Sequence, residues 1–557
     1  MKANQHRSSS IARWIPALAV TLGATFGAAN GVPAAPLMWQ DNSTGDLLSA
    51  NWYNDNTNTF NNSPVAGDNL NLGAGGTATF SGTFAPNLFR VGQPFNPDAQ
   101  PLAGPGTYTQ SGAASSLTVA QFLHIGEGHA GEFNLVDGTV TNNNDFFQVG
   151  WNNMGTLNQS GGSIATRWMS VGTVPTGNGT VNMTAGSIDV NVGLRIGAEG
   201  AGLFDMSSGN GMVTAGFIAV SDLPVSSGEM RVGDQSQVIL DNNDRFVIGW
   251  GRNTTTGAQA NGTLTMTGGS ITLQTTGGGP VADMVVAWGG VGQLDLSDGT
   301  IDVGNSVVTA IDGADGAAAR SQATINHSGG TLNAVRMILS ERGETDYNLS
   351  GSGAVNLTED LSLGRFNPAS GVPSIGRVTQ TGGAMNVGRN MFIANGADGG
   401  AGVYEISGGA LDVDSDLVVG LFSGDGRLNV IGADGQVTVG NDYFQDPTAT
   451  LFVQPDALGQ LTTIDVGNNA LFWSGTTVEA NFDNYPGYGL GEFWNVLTAA
   501  TIDDQGLNVV APAGIEWHII PGGNGEILQL YAIPEPTSLV LAIIAGLALF
   551  GPRRQIR

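Results

Sequence analysis

A chain of 557 residues would ordinarily form three or four domains, but 86 glycines with only 7% aromatic and 12% charged residues are typical of strands punctuated by turns, not of helices or a large α/β core. Six of the 19 basic residues lie in the two terminal segments, which leaves 13 arginines in the body against the chain's 47 acidic residues and argues against nucleic-acid binding. Cysteine is absent, which excludes disulfides, thiolate catalysis, zinc–thiolate sites and iron–sulfur clusters.

The beginning of the chain predicts a secretory signal peptide. Basic residues precede an apolar run from Trp14 to Phe26, and small residues follow it, which is the three-part order of such peptides. Cleavage after Ala29 fits the small-x-small rule and would remove residues 1–29, whereas Ala35 is a poorer site because Pro36 would follow the cut. A membrane anchor is the alternative, but a span needs about 20 apolar residues and this run is shorter.

Residues 30–105 are predicted to form an N-terminal β cap. They contain the phrase MWQDNSTGDLLSANWYNDNTNTFNNSPVAGDNLNL, in which Trp39 and Trp52 are expected to anchor the segment. Gly67 and Asp68 are expected to form a turn. The spacing of Trp, Asn-Trp, Pro and Gly-Asp in this phrase is similar to the opening of many exported β-repeat proteins.

Residues 106–450 repeat one phrase about thirteen times. Each copy has Gly, an alternating strand, a Ser-Gly-Gly or Asp-Gly turn, a second alternating strand, and an apolar run ending in Val-Gly or Ile-Gly. Copies begin at Gly106, Gly131, Gly155, Gly179, Gly202, Gly228, Gly262, Gly292, Gly376, Gly402 and Gly426, with degenerate ones near Gln322 and Asp346. A period of this length indicates a solenoid, a propeller or an array.

Three short strands in each copy fit one coil of an all-β parallel β-helix (β-solenoid). A propeller blade needs about 40 residues and four strands, and leucine-rich repeats need a Leu-x-x-Leu-x-Leu frame that is missing. The repeats resemble those of autotransporter-like and pectate-lyase-like β-helices. The first and last coils of such a stack would expose unpaired strand edges, so a capping segment is expected at each end of the solenoid.

The segment GTLTMTGGSITL shows how one coil would pack. Side chains alternate along a strand, so Leu264 and Met266 are expected to point inward and Thr265 outward. Ile271 and Leu273 continue the inward set after the Gly-Gly corner. Because one coil cannot bury this stripe alone, stacked coils must share a core.

Residues 451–532 are predicted to form a compact C-terminal β unit with its own small core. The basis for this is a local enrichment in aromatic residues: Phe472, Trp473, Phe482, Tyr485, Phe493, Trp494 and Trp517.

The last segment, residues 533–557, predicts a sorting signal with a transmembrane helix. A Pro-Glu-Pro triplet precedes an apolar stretch from Leu539 to Phe550, and arginines follow at once, which would hold that flank in the cytoplasm and the body outside. The candidate sorting residues are Pro534, Glu535, Pro536, Arg553 and Arg554.

This order of triplet, apolar helix and basic cluster resembles the PEP-CTERM sorting domain of Gram-negative bacteria. The resemblance implies processing by an exosortase on the way to the cell surface or extracellular matrix, often alongside exopolysaccharide production. It covers about 25 residues, and Gln555 and Ile556 depart from it by interrupting the basic cluster. A plain C-terminal membrane anchor is the alternative.

Catalytic residues are not predicted. Lyases with this fold use a Lys or Arg base beside acidic calcium ligands, and the mature chain has no Lys. Hydrolases need paired carboxylates, and the adjacent pair Asp503 and Asp504 is assigned to a solvated loop. Four histidines of the body have neither the spacing nor the neighbours of a zinc site and are assigned to the surface: His124, His129, His327 and His518.

No metal site or cofactor is predicted either. The calcium-binding nonapeptide repeat is approximated only at Gly396–Gly400 and Gly432–Gly435, which leaves incidental weak Ca²⁺ binding open.

The leading hypothesis is therefore an exported, non-enzymatic protein of the cell surface or extracellular matrix that works by binding or scaffolding. An exosortase, exopolysaccharide or surface glycans are the candidate partners. A polysaccharide lyase or hydrolase and a glycan-binding adhesin are the alternatives. A ligand groove is expected to gather Trp, Tyr, Arg and Asp on one face, whereas an even polar coat would favour scaffolding.

Overall fold

The structure is a computed structural model that describes residues 36–39, 44–49, 52–54, 59–73, 75–93, 104–241, 244–251, 257–274, 283–311, 320–365, 374–396, 400–523 and 525–533. The chain divides into two units, Met1–Ala34 and Ala35–Arg557. The predicted signal peptide lies outside the described residues, so the following concerns the second unit.

The described residues form an all-β parallel solenoid, which confirms the predicted fold class. Each coil places one strand in each of three parallel ladders, and the strands of each ladder pair with those one coil before and one coil after. Some strands are long and bent, and they continue from one ladder into the next. The described part has one helical segment, the short 3-10 turn Leu421–Ser423.

The first ladder carries the glycine-initiated strands of the repeats. Its strands are Thr44–Asp46, Thr77–Phe80, Gly106–Gln110, Gly131–Leu135, Met154–Gln159, Asn178–Met183, Ala201–Met206, Ser227–Val232, Asn261–Leu273, Val291–Ile311, Gln322–His327, Glu344–Leu349, Ile375–Val387, Ala401–Val413, Asp425–Ile431, Thr450–Gln454, Thr477–Ala480 and Asn508–Val510.

The second ladder follows the Ser-Gly-Gly or Asp-Gly corner. Four of the long first-ladder strands continue into it, and its further strands are Thr83–Phe84, Ser116–Thr118, Thr139–Val149, Ser163–Val171, Ser187–Ile196, Met212–Ala215, Gln237–Leu240, Thr331–Leu339, Ala354–Leu357, Gly435–Val439, Ile464–Val466 and Phe493–Ala499.

The third ladder closes each coil. Several strands of the second ladder bend into it, and its further strands are Pro36–Trp39, Asn69–Leu72, Leu88–Val91, Leu123–Ile125, Ile218–Val220, Phe246–Trp250, Met284–Trp288, Leu361–Leu363, Met391–Ile393, Leu417–Val419, Tyr443–Gln445, Asn469–Phe472 and Thr501–Asp504.

The strand register confirms the predicted repeat phase. All the glycines that begin the predicted copies pair with one another in a single column of the first ladder. In the two degenerate copies, Ala323 and Thr345 occupy the same column. The segment 106–450 therefore contains the thirteen coils that were counted from its sequence.

The predicted alternation inside one coil is also confirmed. Leu264, Met266, Ile271 and Leu273 are fully buried, and Thr265 is half-buried on the outer side. Equivalent side chains stack from coil to coil, so a single hydrophobic core runs through the described residues.

A left-handed residue ends the third-ladder strand in thirteen successive coils. These residues are Gly92, Gly126, Gly150, Gly172, Gly197, Ser221, Gly249, Ala287, Ala310, Ser340, Gly364, Ala394 and Gly420, all with φ between 48° and 84°. The Val-Gly and Ile-Gly endings of the sequence phrase therefore mark the tight corner that leads into the next coil.

The beginning of the described solenoid carries antiparallel strands. Trp52–Asn54 pairs with Pro36–Trp39 and with Thr59–Asn62. Trp39 and Trp52 are buried and pack edge to face, with ring centroids 4.9 Å apart, so both predicted anchors are confirmed. Parallel pairing already begins in the segment assigned to the cap, where Pro36–Trp39 pairs with Asn69–Leu72 and Thr44–Asp46 pairs with Thr77–Phe80.

The other end is covered by an antiparallel hairpin, Ile515–Pro521 with Glu526–Ala532, which pairs with Phe493–Ala499. Parallel pairing continues through Asn508–Val510, well beyond residue 450. The prediction that the aromatic residues of this segment form a separate small core was wrong. Phe472, Phe482 and Trp494 belong to the same hydrophobic core as the repeats.

Outward amides of the first two ladders bond to one another along the stack. The Nδ2 of Asn158 donates to Oδ1 of Asn134 at 2.9 Å, and the Nδ2 of Asn182 donates to Oδ1 of Asn158 at 2.8 Å. On the second ladder, Asn356 donates in the same way to Asn333 at 2.8 Å. These faces thus carry a polar coat that satisfies much of its own hydrogen bonding.

Four tyrosines lie inside the solenoid, each bonded to a buried polar side chain. Burial raises the pKa of all four, so they are neutral donors. The pairs are Tyr108 with Gln110, Tyr347 with His327, Tyr404 with Gln380 and Tyr443 with Gln445. The amides of the glutamines in turn donate to backbone carbonyls at the corners, which satisfies polar groups in an otherwise apolar core.

His327 is expected to make the solenoid sensitive to mild acid. Burial lowers its pKa. In the neutral ring, Nδ1 accepts a hydrogen bond from the hydroxyl of Tyr347 at 2.8 Å, and Nε2 donates one to the carbonyl oxygen of Gly330 at 3.2 Å. The unfolded chain protonates this histidine near its ordinary pKa of about 6.5, before the folded chain does. The free energy of unfolding therefore falls as the pH drops below that value, by at most about 1.4 kcal/mol per pH unit from this residue.

The variant His327→Gln is expected to reduce this pH dependence, because glutamine already makes the equivalent contacts at Gln380. Denaturant unfolding at pH 7.5, 6.0 and 5.0 measures the slope. His518→Gln is the control, since the His518 side chain is 54% exposed, and its slope should equal that of the wild type. An unchanged slope in His327→Gln would contradict the assignment.

Candidate functional site

The predicted sorting residues Pro534, Glu535, Pro536, Arg553 and Arg554 lie outside the described residues, as does the apolar stretch before the two arginines. Among the residues that the structure describes, no helix has the length and apolar character needed to cross a bilayer.

The acidic pair Asp503 and Asp504 ends a third-ladder strand, so its predicted placement in a loop was wrong. Both side chains are exposed, as expected. Oδ1 of Asp504 accepts hydrogen bonds from the backbone N–H groups of Gly506 at 2.8 Å and Leu507 at 2.6 Å. The carboxylate therefore caps the turn that follows the strand.

The assignment of all four histidines to the surface was wrong for two of them. His124 is 6% exposed and His327 is 1% exposed, whereas His129 is half-buried and His518 is exposed. His327 lies in an inward column of the first ladder, and His124 lies in an outward column of the third ladder that neighbouring side chains cover. In the described ranges, no group of three or more His, Cys, Asp or Glu residues is arranged to hold a metal ion.

The outer side of the third ladder, here called the third face, differs from the polar coat of the other two. Its central outward column is polar in six successive coils, from Asn71 to Arg195, and mostly apolar in the coils after them. The last five polar members are Arg90, His124, Gln148, Ser170 and Arg195, and they are called the polar strip. The next members are Ala219, Val247, Val285, Val308 and Ile338.

The first half of the polar strip is organised around Glu127. Nδ1 of His124 lies 2.6 Å from Oε2 of Glu127, and Nε of Arg90 lies 3.0 Å from the same oxygen. Burial alone would raise the pKa of Glu127, but the hydrogen bond from His124 and the charges of His124 and Arg90 together lower it. The Trp151 ring stacks on the imidazole, with centroids 5.0 Å apart and planes at 6°.

Two polar atoms in adjacent rungs of the strip lack partners. Nε2 of His124 and Oε1 of Gln148 are buried and have no hydrogen-bond partner among the residues that the structure describes. Both residues are more than nine-tenths buried, and they are direct neighbours in the ladder. Unpaired buried polar atoms are rare in native proteins, so these two need an explanation.

Aromatic side chains flank the strip on its N-terminal side. Phe146 and Trp168 stack with ring centroids 6.1 Å apart, and the Arg195 guanidinium lies 4.9 Å from the Trp168 ring. Gly193 makes this row compact, because a Cβ there would lie 2.6 Å from the Trp168 ring and 3.1 Å from the Phe217 ring.

In the following coils, the third face carries an apolar cluster outside the main core. Phe217, Ala219, Val247 and Val285 are buried there. Trp250, Trp288 and Ile311 are partly buried against them, with Trp250 and Trp288 stacked at a centroid distance of 5.7 Å, and the Arg245 guanidinium lies 4.7 Å from the Trp288 ring.

Ionisable groups concentrate beside the same ladder. Burial raises the pKa of four carboxyl groups there, and nearby arginines oppose each shift: Asp145, Asp222, Asp283 and Glu341. Eight arginines lie within three residues of third-ladder strands: Arg90, Arg167, Arg195, Arg245, Arg336, Arg342, Arg365 and Arg389. Most of the few cations of this acidic protein thus lie in or next to third-ladder strands, and two of them, Arg195 and Arg245, contact tryptophan rings.

Two cavities lie on other parts of the surface. One of about 390 Å³ is lined by Asp465, Thr498 and Glu526 together with glycine and alanine backbone. The other, of about 290 Å³, lies over the first ladder beside Gly131 and Glu132. Neither contains the combination of aromatic and arginine side chains found on the third face.

The third face was missed from the sequence, although a gathering of Trp, Arg and Asp on one face was the expected mark of a binding site. Its residues are separated by 22 to 38 positions, because each coil has its own corner and insertion lengths. The repeated Val-Gly or Ile-Gly ending was the one usable signal, since the residue two positions before that glycine belongs to the central column. Tyrosines were also expected on the binding face, but four of them lie in the interior of the solenoid.

Comparison of the chain with protein-family models, with curated proteins and with solved structures gives no match.

Proposed function

We propose that this chain is an exported protein of the cell surface or extracellular matrix that works by binding, with the solenoid as a scaffold and the third face as the binding surface. The observation that carries the proposal is the contrast between faces. The first two ladders are coated by side chains that bond to one another, whereas the third face collects aromatic rings, arginines and partly buried carboxyls. Such a combination is typical of ligand sites and not of an inert coat.

The sequence supports the proposed location through its signal-peptide pattern and its PEP-CTERM-like tail, which would bring the protein to an exosortase. Cell fractionation with mass spectrometry of both mature termini tests this. We expect a surface or matrix protein that begins at Asn30 and whose tail is anchored or cut near Pro534. A full-length cytoplasmic protein that still carries Met1 would disprove the proposal.

A polysaccharide lyase or hydrolase is the second candidate. The observation favouring it is that four carboxyls with raised pKa lie on the face that also carries the aromatic rings, since perturbed carboxyls in such places serve as general acids. Incubation of the mature protein with neutral and acidic polysaccharides distinguishes the two candidates: new reducing ends or unsaturated products indicate an enzyme, and binding without products indicates a binding protein.

A further inference from the structure

We infer that the polar strip binds a neutral oligosaccharide, an inference that rests on the proposed binding function and names its ligand. The strip is a row of planar or hydroxylated polar side chains between half-buried aromatic rings. Five rungs at about 4.8 Å each span about 19 Å, which is the length of a short sugar chain. Sugar hydroxyls both donate and accept, and the C–H faces of the sugar rings pack on aromatic groups.

The unpartnered atoms supply the observation that points to a ligand. Because Nδ1 of His124 is bonded to Glu127, its Nε2 is directed away from that carboxylate. It shares the strip with Oε1 of Gln148, which is also unpartnered. Two neighbouring sugar hydroxyls can serve both atoms: one donates its O–H to Oε1 of Gln148, and the other donates to Nε2 of His124 in the tautomer that carries its proton on Nδ1. The half-buried Trp151 ring covers His124, and a rotation of that side chain would expose the imidazole to a ligand.

The charges favour a neutral ligand. Each arginine of the strip already has a carboxylate partner, Glu127 for Arg90 at 3.0 Å and Asp222 for Arg195 at 3.2 Å. The chain as a whole carries a net charge of −28, which repels polyanions.

The ladder argues against a peptide that would bind by adding a strand. That mode needs an unpaired strand edge. The strands that carry the strip are paired on both sides, because Leu123–Ile125 pairs with the coils before and after it.

The test uses the full mature protein with cellohexaose, xylohexaose and mannohexaose as neutral probes and hexagalacturonate as the acidic one. Isothermal titration and tryptophan fluorescence report binding. We expect binding of at least one neutral hexasaccharide, and we expect Gln148→Leu and Ser170→Val each to weaken it at least tenfold. Both variants should fold, because buried Val247, Val285 and Ile338 occupy the same column in later coils.

Ser362→Ala is the matched control, since Ser362 lies in the same column outside the strip and its variant should bind like the wild type. The inference is overturned if no neutral hexasaccharide binds, if only hexagalacturonate binds, or if both strip variants bind as well as the wild type with unchanged near-ultraviolet circular dichroism. The purified protein decides this independently of where the cell places it, so the outcome is separate from the fractionation experiment.

Discussion

Replacement of Gly172 by alanine is expected to lower the free energy of unfolding by at least about 4 kcal/mol, among the largest effects of a single methyl group in this fold. Gly172 ends a third-ladder strand with φ of 70°. A Cβ there would lie 2.1 Å from the carbonyl oxygen of Ala201 and 2.4 Å from its carbonyl carbon. Both contacts are with backbone of the next coil, which cannot move without breaking its own ladder pairing.

Gly257→Ala separates the two causes of this effect. Gly257 has φ of 72°, and no atom of the residues that the structure describes lies within 4 Å of its added Cβ, so alanine there is expected to meet the left-handed backbone penalty of about 1–2 kcal/mol. Denaturant unfolding of both variants measures the difference. If both variants lost the same free energy of unfolding, the close contact between coils at Gly172 would contribute nothing to the effect of the substitution.

The same column contains alanines, and the neighbouring coil shows how they fit. Ala394 and Ala310 face Gly424 and Gly343, whose own added Cβ atoms would lie 3.0 Å and 2.9 Å from the alanine Cβ. The next coil thus supplies a glycine where the corner has a side chain. The coil that Gly172 contacts has a glycine at the same position, Gly200, but the added Cβ of Gly172 would meet the backbone atoms of Ala201 and Gly202 instead.

Much of the fold could be predicted from the sequence because every coil has the same local requirement, a small residue at the same position. The leading glycine of each copy is needed where coils approach closely, so Gly106 through Gly426 revealed the register before any contact was known. The degenerate copies were found by phase, and Ala323 and Thr345 occupy the glycine column as that phase requires.

The third face does not follow from the sequence because it depends on which residues share a column. His124 and Gln148 become neighbours only when the coil lengths between them are known. Burial of outward residues such as Val285, which is 1% exposed, arises from side chains in adjacent coils and not from the strand pattern. Alternation predicts the direction of a side chain, whereas its exposure is decided by its neighbours on the same face.

The interior polar pairs escaped sequence analysis for a related reason. Alternation correctly places Tyr404 and Gln380 on the inner side, but composition assigns glutamine to the surface. The two residues are 24 positions apart and meet because they lie in consecutive coils. The hydrophobic core thus contains polar side chains whose cost of burial is offset by hydrogen bonds, and the stacking of coils brings the bonded partners together.

Replacement of Gln380 by leucine is expected to destabilise the protein by about 3 kcal/mol, because it removes one member of a fully buried hydrogen-bonded set. The Tyr404 hydroxyl donates to Oε1 of Gln380, whose Nε2 donates to the carbonyl of Ala410 at 2.9 Å. Leucine fits the space, since Leu349 precedes Gln380 in the same column. The loss therefore reports unsatisfied polar groups and not a clash.

A double-mutant cycle with Tyr404→Phe isolates the hydrogen bond itself. In the double variant the hydroxyl that Gln380→Leu leaves unpaired is gone, so its loss should be at least about 1 kcal/mol smaller than the sum of the single losses. Ile406→Leu, in the same column but without polar partners, is the control and should cost less than about 1.5 kcal/mol. Additive losses would mean that Tyr404 and Gln380 do not stabilise one another, and the buried pairs would then be tolerated by the solenoid without contributing to its stability.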